Sequence, residues 1–135
     1  MGDHRGFTLI ELMIVISIIG VLSSIAVPNI LSYRTKAYQS EALVLSDAVR
    51  KDIVDYYEYR GILPETNSDA GLPKPEAIKG KYVESITVTN GIISIRMGGE
   101  ETGLVGLTIV LRPQIPEDRT GPVIWIREDK TLEEA

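Results

Sequence analysis

Glu11 is a lone carboxylate placed where a carboxylate is costly. It follows Gly6-Phe7-Thr8-Leu9-Ile10 and precedes residues 12–33, a run of 22 residues without one charge. A charge at the bilayer centre of an apolar helix costs about 2.5–3.5 kcal/mol on insertion scales, and less near an interface. Two chemistries fit such a residue. It snorkels to headgroup depth, or it meets a cation inside an assembly. Little else is available. The chain has no cysteine, which removes disulfides, thiolate catalysis and thiolate metal sites. Its one histidine, His4, leaves neither Ser-His-Asp catalysis nor a histidine metal site in the body of the protein. The paired acids Glu100-Glu101, Glu117-Asp118 and Glu128-Asp129 show no DxDxDG calcium-loop spacing and read as solvated charge. Lys74, Lys79 and Lys81 near Tyr82 read as ordinary surface. With 14 basic and 19 acidic side chains the net charge is −5, so binding to DNA has no support from bulk charge. No enzyme activity, cofactor or metal is expected.

The elements that must position Glu11 come next. About 20 residues at ~1.5 Å rise cross the ~30 Å hydrocarbon core, so the apolar run is long enough to span a membrane. It exceeds the roughly 7–15 residue core of a secretory signal, and no clear small-x-small site follows before Pro28, Ser24-Ile25-Ala26 being a weak match. Arg5 precedes the run while Arg34 and Lys36 follow it, so positive-inside counting leaves the orientation open. Gly20 and Pro28 weaken the helix, by up to about 1 and about 3 kcal/mol. Ser17, Ser23 and Ser24 are available to bond freed carbonyls. Thr8 and Ser17 read as polar contacts between helices.

After Pro28 the pattern turns amphipathic. Tyr38, Ala42, Leu45, Val49, Ile53 and Tyr56 recur at three- and four-residue steps, and Ala37, Val44 and Ala48 widen that face. Gly61 after Arg60, with Pro64 beyond, stops the helix. One interrupted helix from Phe7 to Arg60 is 54 residues, or roughly 80 Å. Residues 61–81 read as a loop. Val83, Ile86 and Val88, then Asn90-Gly91, then Ile93, Ile95 and Met97 read as a hairpin, because a type I′ turn needs positive φ at both central residues. Leu107, Ile109 and Leu111 form a third strand, residues 112–122 a loop, and residues 123–127 a fourth strand containing a core Trp125. Residues 128–135 read as a frayed charged tail. Four short strands after one long helix should make an antiparallel sheet with one face on the amphipathic half of the helix, an α+β fold.

Gly6-Phe7-Thr8-Leu9-Ile10-Glu11-Leu12-Met13-Ile14-Val15-Ile16 resembles the class III signal of type IV prepilins and the related pseudopilins. The resemblance implies that a membrane peptidase removes the leader, residues 1–6, by cutting between Gly6 and Phe7 and then N-methylates Phe7. It implies that Glu11 pairs with the N-terminus of a neighbouring subunit. It also implies that Gly20 and Pro28 border the stretch that melts in assembled pili. Further on, Tyr56-Tyr57 with Gly61 and Pro64 resembles the end of the long helix in major pilins. Ile78-Lys79-Gly80-Lys81-Tyr82-Val83 with Asn90-Gly91 is similar to the start of the neisserial sheet, and Val123-Ile124-Trp125 to its last strand. The chain departs from the family at its C-terminus. Many members close a loop there with two cysteines, whereas this chain has none and stops ten residues after Trp125.

The organisation expected is therefore a leader at 1–6, an apolar membrane and filament-core helix at 7–28, and a globular domain at 29–135. That domain divides into helix 29–60, loop 61–81, sheet 82–127 and tail 128–135. The function implied is a major type IV pilin, a homo-oligomeric filament subunit. Its partners would be the prepilin peptidase, the inner-membrane assembly machinery and, before assembly, membrane lipid. Its location would be the inner membrane with a periplasmic domain, then a surface pilus serving adhesion, twitching motility or DNA uptake. A type II secretion pseudopilin or minor pilin is the nearest alternative. A membrane-anchored periplasmic binding domain that never polymerises is the more distant one.

Overall fold

The computed structural model describes residues 5–99 and 106–130, the side chains of 29, 31 and 32 excepted. The leader up to His4, Glu100-Glu101 and the last five residues lie outside this range. Helix α1 runs Leu9–Arg60, followed by a 3-10 turn at Pro75–Ala77 and four strands, β1 Val83–Thr89, β2 Ile92–Met97, β3 Thr108–Gln114 and β4 Ile124–Lys130. The chain divides into two compact units, residues 1–36 and 37–135.

In the first unit α1 continues unbroken through Gly20 and Pro28. The Pro28 ring removes the N–H that would bond the Ser24 carbonyl. The serine hydroxyls do not serve that carbonyl. Ser17 donates to the Met13 carbonyl at 2.7 Å and Ser24 to the Val21 carbonyl at 2.7 Å. Ser17 therefore bonds within its own helix in the single chain.

The second unit holds the hydrophobic core. Ala42, Val49 and Ile53 of α1 pack with Val83, Ile86 and Val88 of β1, Ile93, Ile95 and Met97 of β2, and Ile109 and Leu111 of β3. Tyr38, Leu45, Tyr82 and Trp125 lean on this core while staying partly exposed. Ala37, Val44 and Ala48 do not widen the buried face, as the sequence suggested they would. All three are exposed. At 100° per residue, Val44 and Ala48 sit on the side of α1 away from the line joining Ala42, Val49 and Ile53. The helix ends where Gly61 takes φ +76°, and its N–H donates to the Tyr57 carbonyl at 2.7 Å, the left-handed cap expected of a glycine just past a helix.

The strands form one antiparallel sheet in the order β1-β2-β3-β4. Asn90 and Gly91 have φ of +51° and +78°, the two positive values of a type I′ hairpin turn. A bulge at Glu84 shifts the register between Val83 and Ser85. It lets Val83 and Ile86, three residues apart, both face the core. Two boundaries differ from the sequence reading. Strand β3 continues through Arg112 and Pro113 to Gln114, where a loop was expected, because these residues pair with Ile126, Trp125 and Ile124. Strand β4 extends to Lys130, where a frayed tail was expected. Its charges are accommodated in the ladder by Arg112, which donates to the Glu128 carboxylate at 3.1 Å, and by Arg127, which donates to Asp129 at 2.8 Å.

Candidate functional site

The sequence places the candidate site in Gly6, Phe7 and Glu11, with Gly20 and Pro28 further along the same helix. The backbone is non-helical from Arg5 to Thr8 and helical from Leu9. Thr8 is thus the N-cap and Glu11 the third residue of the first turn. The Thr8 N–H donates to Glu11 Oε2 at 3.1 Å, and the Thr8 hydroxyl donates to the same oxygen at 3.3 Å. The Glu11 N–H donates to Thr8 Oγ1 at 3.2 Å. The Leu12 N–H donates to the Thr8 carbonyl at 3.2 Å and closes the first full turn. This is a capping box. Phe7 and Leu12 stand at the two positions where a hydrophobic staple is found. The box satisfies orphan donors of the helix start and sets a carboxylate at the positive end of the helix dipole.

The sequence reading of Glu11 missed this. Thr8-x-x-Glu11 is the capping-box signature, and it was legible as such. Glu11 is therefore not a bare charge in the isolated chain. Its contacts with Thr8 use one oxygen, Oε2, so the box does not occupy Oε1. A carboxylate held this way can still accept from a cation.

Around the box lies apolar surface. Every large apolar side chain from Phe7 to Ile30 is at least 50% exposed, and Phe7 reaches 93%. A helix apolar on all sides belongs in a bilayer or against other apolar helices. Helix α1 is long and apolar enough to cross a membrane. Gly6 meets no atom within 4 Å of where a Cβ would stand, and neither does Gly20. The fold of the chain itself does not demand glycine at these two positions. Any demand at Gly6 comes from something that approaches the backbone from outside.

Two further polar residues, both in the second unit, have roles that the sequence reading did not anticipate, Glu41 having been read only as part of the helix's polar face. The Glu41 carboxylate accepts the N–H of Lys81 at 2.8 Å and of Tyr82 at 2.7 Å, fastening α1 to the chain just before β1. A Cβ on Gly80 would stand 2.5 Å from Glu41 Oε1, which explains the glycine in Lys79-Gly80-Lys81. The Tyr38 and Tyr82 rings meet beside this clamp, with centroids 4.2 Å apart. Asn67 is 6% exposed and bonds the edge of the sheet. A partnership spanning some 20 to 40 residues leaves no local signal in sequence.

Elsewhere the chemistry is sparse. Among the described residues no group of three or more His, Asp or Glu is placed to hold a metal ion. Asp118, on the exposed loop between β3 and β4, has its carboxyl held below the usual range by the Thr120 hydroxyl and then by the Thr120 N–H, which donate to it at 2.5 and 3.1 Å.

Comparison with known proteins gives the family. The family described as a prokaryotic N-terminal methylation motif matches residues 1–27, and the family described as pilin (bacterial filament) matches residues 35–135. A type IV major pilin protein of Neisseria gonorrhoeae is 47% identical over 95 residues, covering 70% of this chain and 44% of the relative. A fimbrial protein of Eikenella corrodens is 40% identical over 115 residues, covering 81% of this chain and 74% of the relative. A prepilin peptidase-dependent protein of Escherichia coli is 33% identical over 141 aligned positions, covering 100% of this chain and 92% of the relative. The chain spans about half the length of the neisserial relatives it matches. With a methylation motif at its start and a pilin match over the remainder, the chain belongs to the type IV pilin family.

Proposed function

We propose that this protein is the repeating subunit of a type IV pilus filament, made as a prepilin. A peptidase cuts between Gly6 and Phe7 and methylates the new amine of Phe7. The subunit waits in the inner membrane on residues 7–28, with residues 29–135 on the periplasmic side. Assembly machinery then draws it into a helical homopolymer, and the filament serves adhesion or motility at the cell surface.

The observation that carries this reading is the coincidence of one carboxylate with a wholly exposed apolar helix. Cleavage would create a cation at Phe7, four residues before Glu11. In a helical array the amine of one copy can meet the Glu11 carboxylate of another, and each neutralises the other in low dielectric. The apolar helices around them then need no water. Gly20 and Pro28 supply weak points where the helix can unwind as copies pack. The lack of any intramolecular need for Gly6 supports the same reading, since a residue without Cβ allows close approach of a peptidase to the scissile bond.

The test is to shear surface filaments from the producing cells and to measure the intact mass of the main subunit. The expected subunit begins at Phe7 with one added methyl group, and Gly6→Val leaves full-length precursor in the membrane. An unmethylated chain beginning near Val27 would show an ordinary signal peptide instead.

A further inference from the structure

Strand β1 is an edge of the sheet, yet its outward backbone row is not open. Asn67, from the loop after α1, lies against it as a single residue of a missing strand would. The Val88 N–H donates to Asn67 Oδ1 at 2.6 Å, and Asn67 Nδ2 donates to the Ile86 carbonyl at 3.0 Å. These two groups, two residues apart, are the pair that one residue of a parallel neighbour engages in a ladder, and they are outward groups of β1 that an added strand of either direction would need. The same side-chain amide also donates to the Pro73 carbonyl at 3.2 Å, which ties the loop to itself. The seal continues along the edge. The Asn90 N–H donates to the Glu65 carbonyl at 3.1 Å and the Gly91 N–H to the Pro64 carbonyl at 2.8 Å.

The strand beneath this seal is prone to pair. Val83, Ile86, Thr87, Val88 and Thr89 are β-branched, five of its seven residues, and Glu84 is its one charge. The opposite edge, β4, is protected by other means. Arg127, Glu128, Asp129 and Lys130 stand on it in sequence, the charged guard that edge strands commonly carry. A groove of about 720 Å³ runs beside the β1 edge, lined by Asn67, Leu72, Pro73, Thr87 and Val88.

We propose that Asn67 is an edge guard, and that its amide keeps β1 from pairing with β1 of a second copy of this chain. The second copy is the natural intruder. A member of a filament-forming family meets its own copies at high local concentration, and two β1 edges brought together antiparallel about Ile86 set Ile86 against Ile86 and Val83 against Thr89. The guard thereby separates the two ways this chain can polymerise, and leaves association through its sheet closed.

The experiment uses the full chain in detergent micelles, compared with wild type at equal concentrations. Asn67→Ala removes all three amide hydrogen bonds, and Asn67→Asp keeps the acceptor for the Val88 N–H while removing the donors. At dilution too great for copies to pair, amide exchange at Val88 is expected to rise about tenfold in Asn67→Ala, the effect of losing one ordinary hydrogen bond. Infrared spectra should show intermolecular β-pairing that grows with protein concentration. Adding Thr87→Lys, a charge on the pairing strand, should suppress that pairing without restoring the Val88 hydrogen bond. If Asn67→Ala fails to fold, Asn67→Leu, which keeps the volume and loses every amide hydrogen bond, gives the same reading with and without Thr87→Lys. Variants that show no intermolecular β-pairing would overturn the proposal. So would pairing that Thr87→Lys leaves unchanged, since that would trace it to general unfolding.

Discussion

Removing the Glu41 carboxylate should loosen the junction between α1 and β1 more than any other single change to an exposed or half-exposed acid. The side chain accepts two backbone N–H groups, from Lys81 at 2.8 Å and Tyr82 at 2.7 Å. Hydrogen bonds to a charged group contribute about 1.5–3 kcal/mol each. Lys81 is exposed, so water can replace much of its share, whereas Tyr82 is half-buried. The net cost of Glu41→Ala is therefore about 2–3 kcal/mol. For a unit of about 100 residues each kcal/mol moves Tm by about 4–8 °C, so a fall of about 10–20 °C is expected. Glu41→Gln should recover little, because its NH₂ group faces one of the two donors. Gly80→Ala attacks the same clamp from the other side, its Cβ standing 2.5 Å from Glu41 Oε1. In a double-mutant cycle Gly80→Ala should cost markedly less once Glu41 is alanine, with a coupling of about 1 kcal/mol or more. Thermal unfolding of the sheet, followed by circular dichroism on the full chain in detergent, measures all four corners. Additivity within about 0.5 kcal/mol would refute the clamp.

Three further outcomes are expected. Residues 29–135, with 17 acids against 13 bases, should form a soluble monomer with a cooperative thermal transition, and an aggregated product without dispersed amide resonances would show that the apolar half is needed for folding. Thr8→Val, which keeps the shape of Thr8 and removes its hydroxyl, should destabilise the helix start by about 0.5–2 kcal/mol, read as faster amide exchange at Glu11 and Leu12; unchanged exchange would show that the capping box contributes nothing. The Asp118 carboxyl should titrate below the usual aspartate range by NMR and return toward it in Thr120→Val. Its folded value is depressed, so its contribution is present above the unfolded value and is lost as the pH falls through the folded one.

Much of this fold is visible in the sequence because its signals are local. The Asn90-Gly91 turn, the stop at Arg60-Gly61 and the period of Ala42, Val49 and Ile53 each act within a few residues. The errors have physical causes too. Pro113 suggested a loop, yet a strand tolerates a proline where the ladder asks no N–H of it. The charges of residues 128–130 suggested solvent, yet cross-strand pairing with β3 holds them in β4. Ala37, Val44 and Ala48 are apolar by type and exposed by phase. At the candidate site, Glu11 stands out as a lone carboxylate and Gly6 and Phe7 through motif resemblance, while the local partner of Glu11 is signalled by the Thr8-x-x-Glu11 spacing of an ordinary helix cap. Glu41 and Asn67 were beyond reach, since their partners lie about 40 and 20 residues away.

The most direct measurement is the yield of filaments sheared from cells carrying Glu11→Ala, with the membrane pool of subunit as control. Losing the carboxylate lowers the cost of membrane insertion by up to about 2.5–3.5 kcal/mol, so a defect cannot arise from poor membrane entry. What the variant loses is the counter-charge to the Phe7 amine. Breaking one half of a buried pair costs about 3–5 kcal/mol, and in a polymer the penalty recurs with every copy added. The lost capping box is a smaller term, about 0.5–2 kcal/mol, confined to the helix start. Thr8→Val measured alongside isolates it. Charge pairing requires that Glu11→Ala abolish filaments or reduce them sharply while the membrane pool stays normal and Thr8→Val filaments persist. A normal filament yield from Glu11→Ala would contradict it and leave Glu11 as the cap of its own helix.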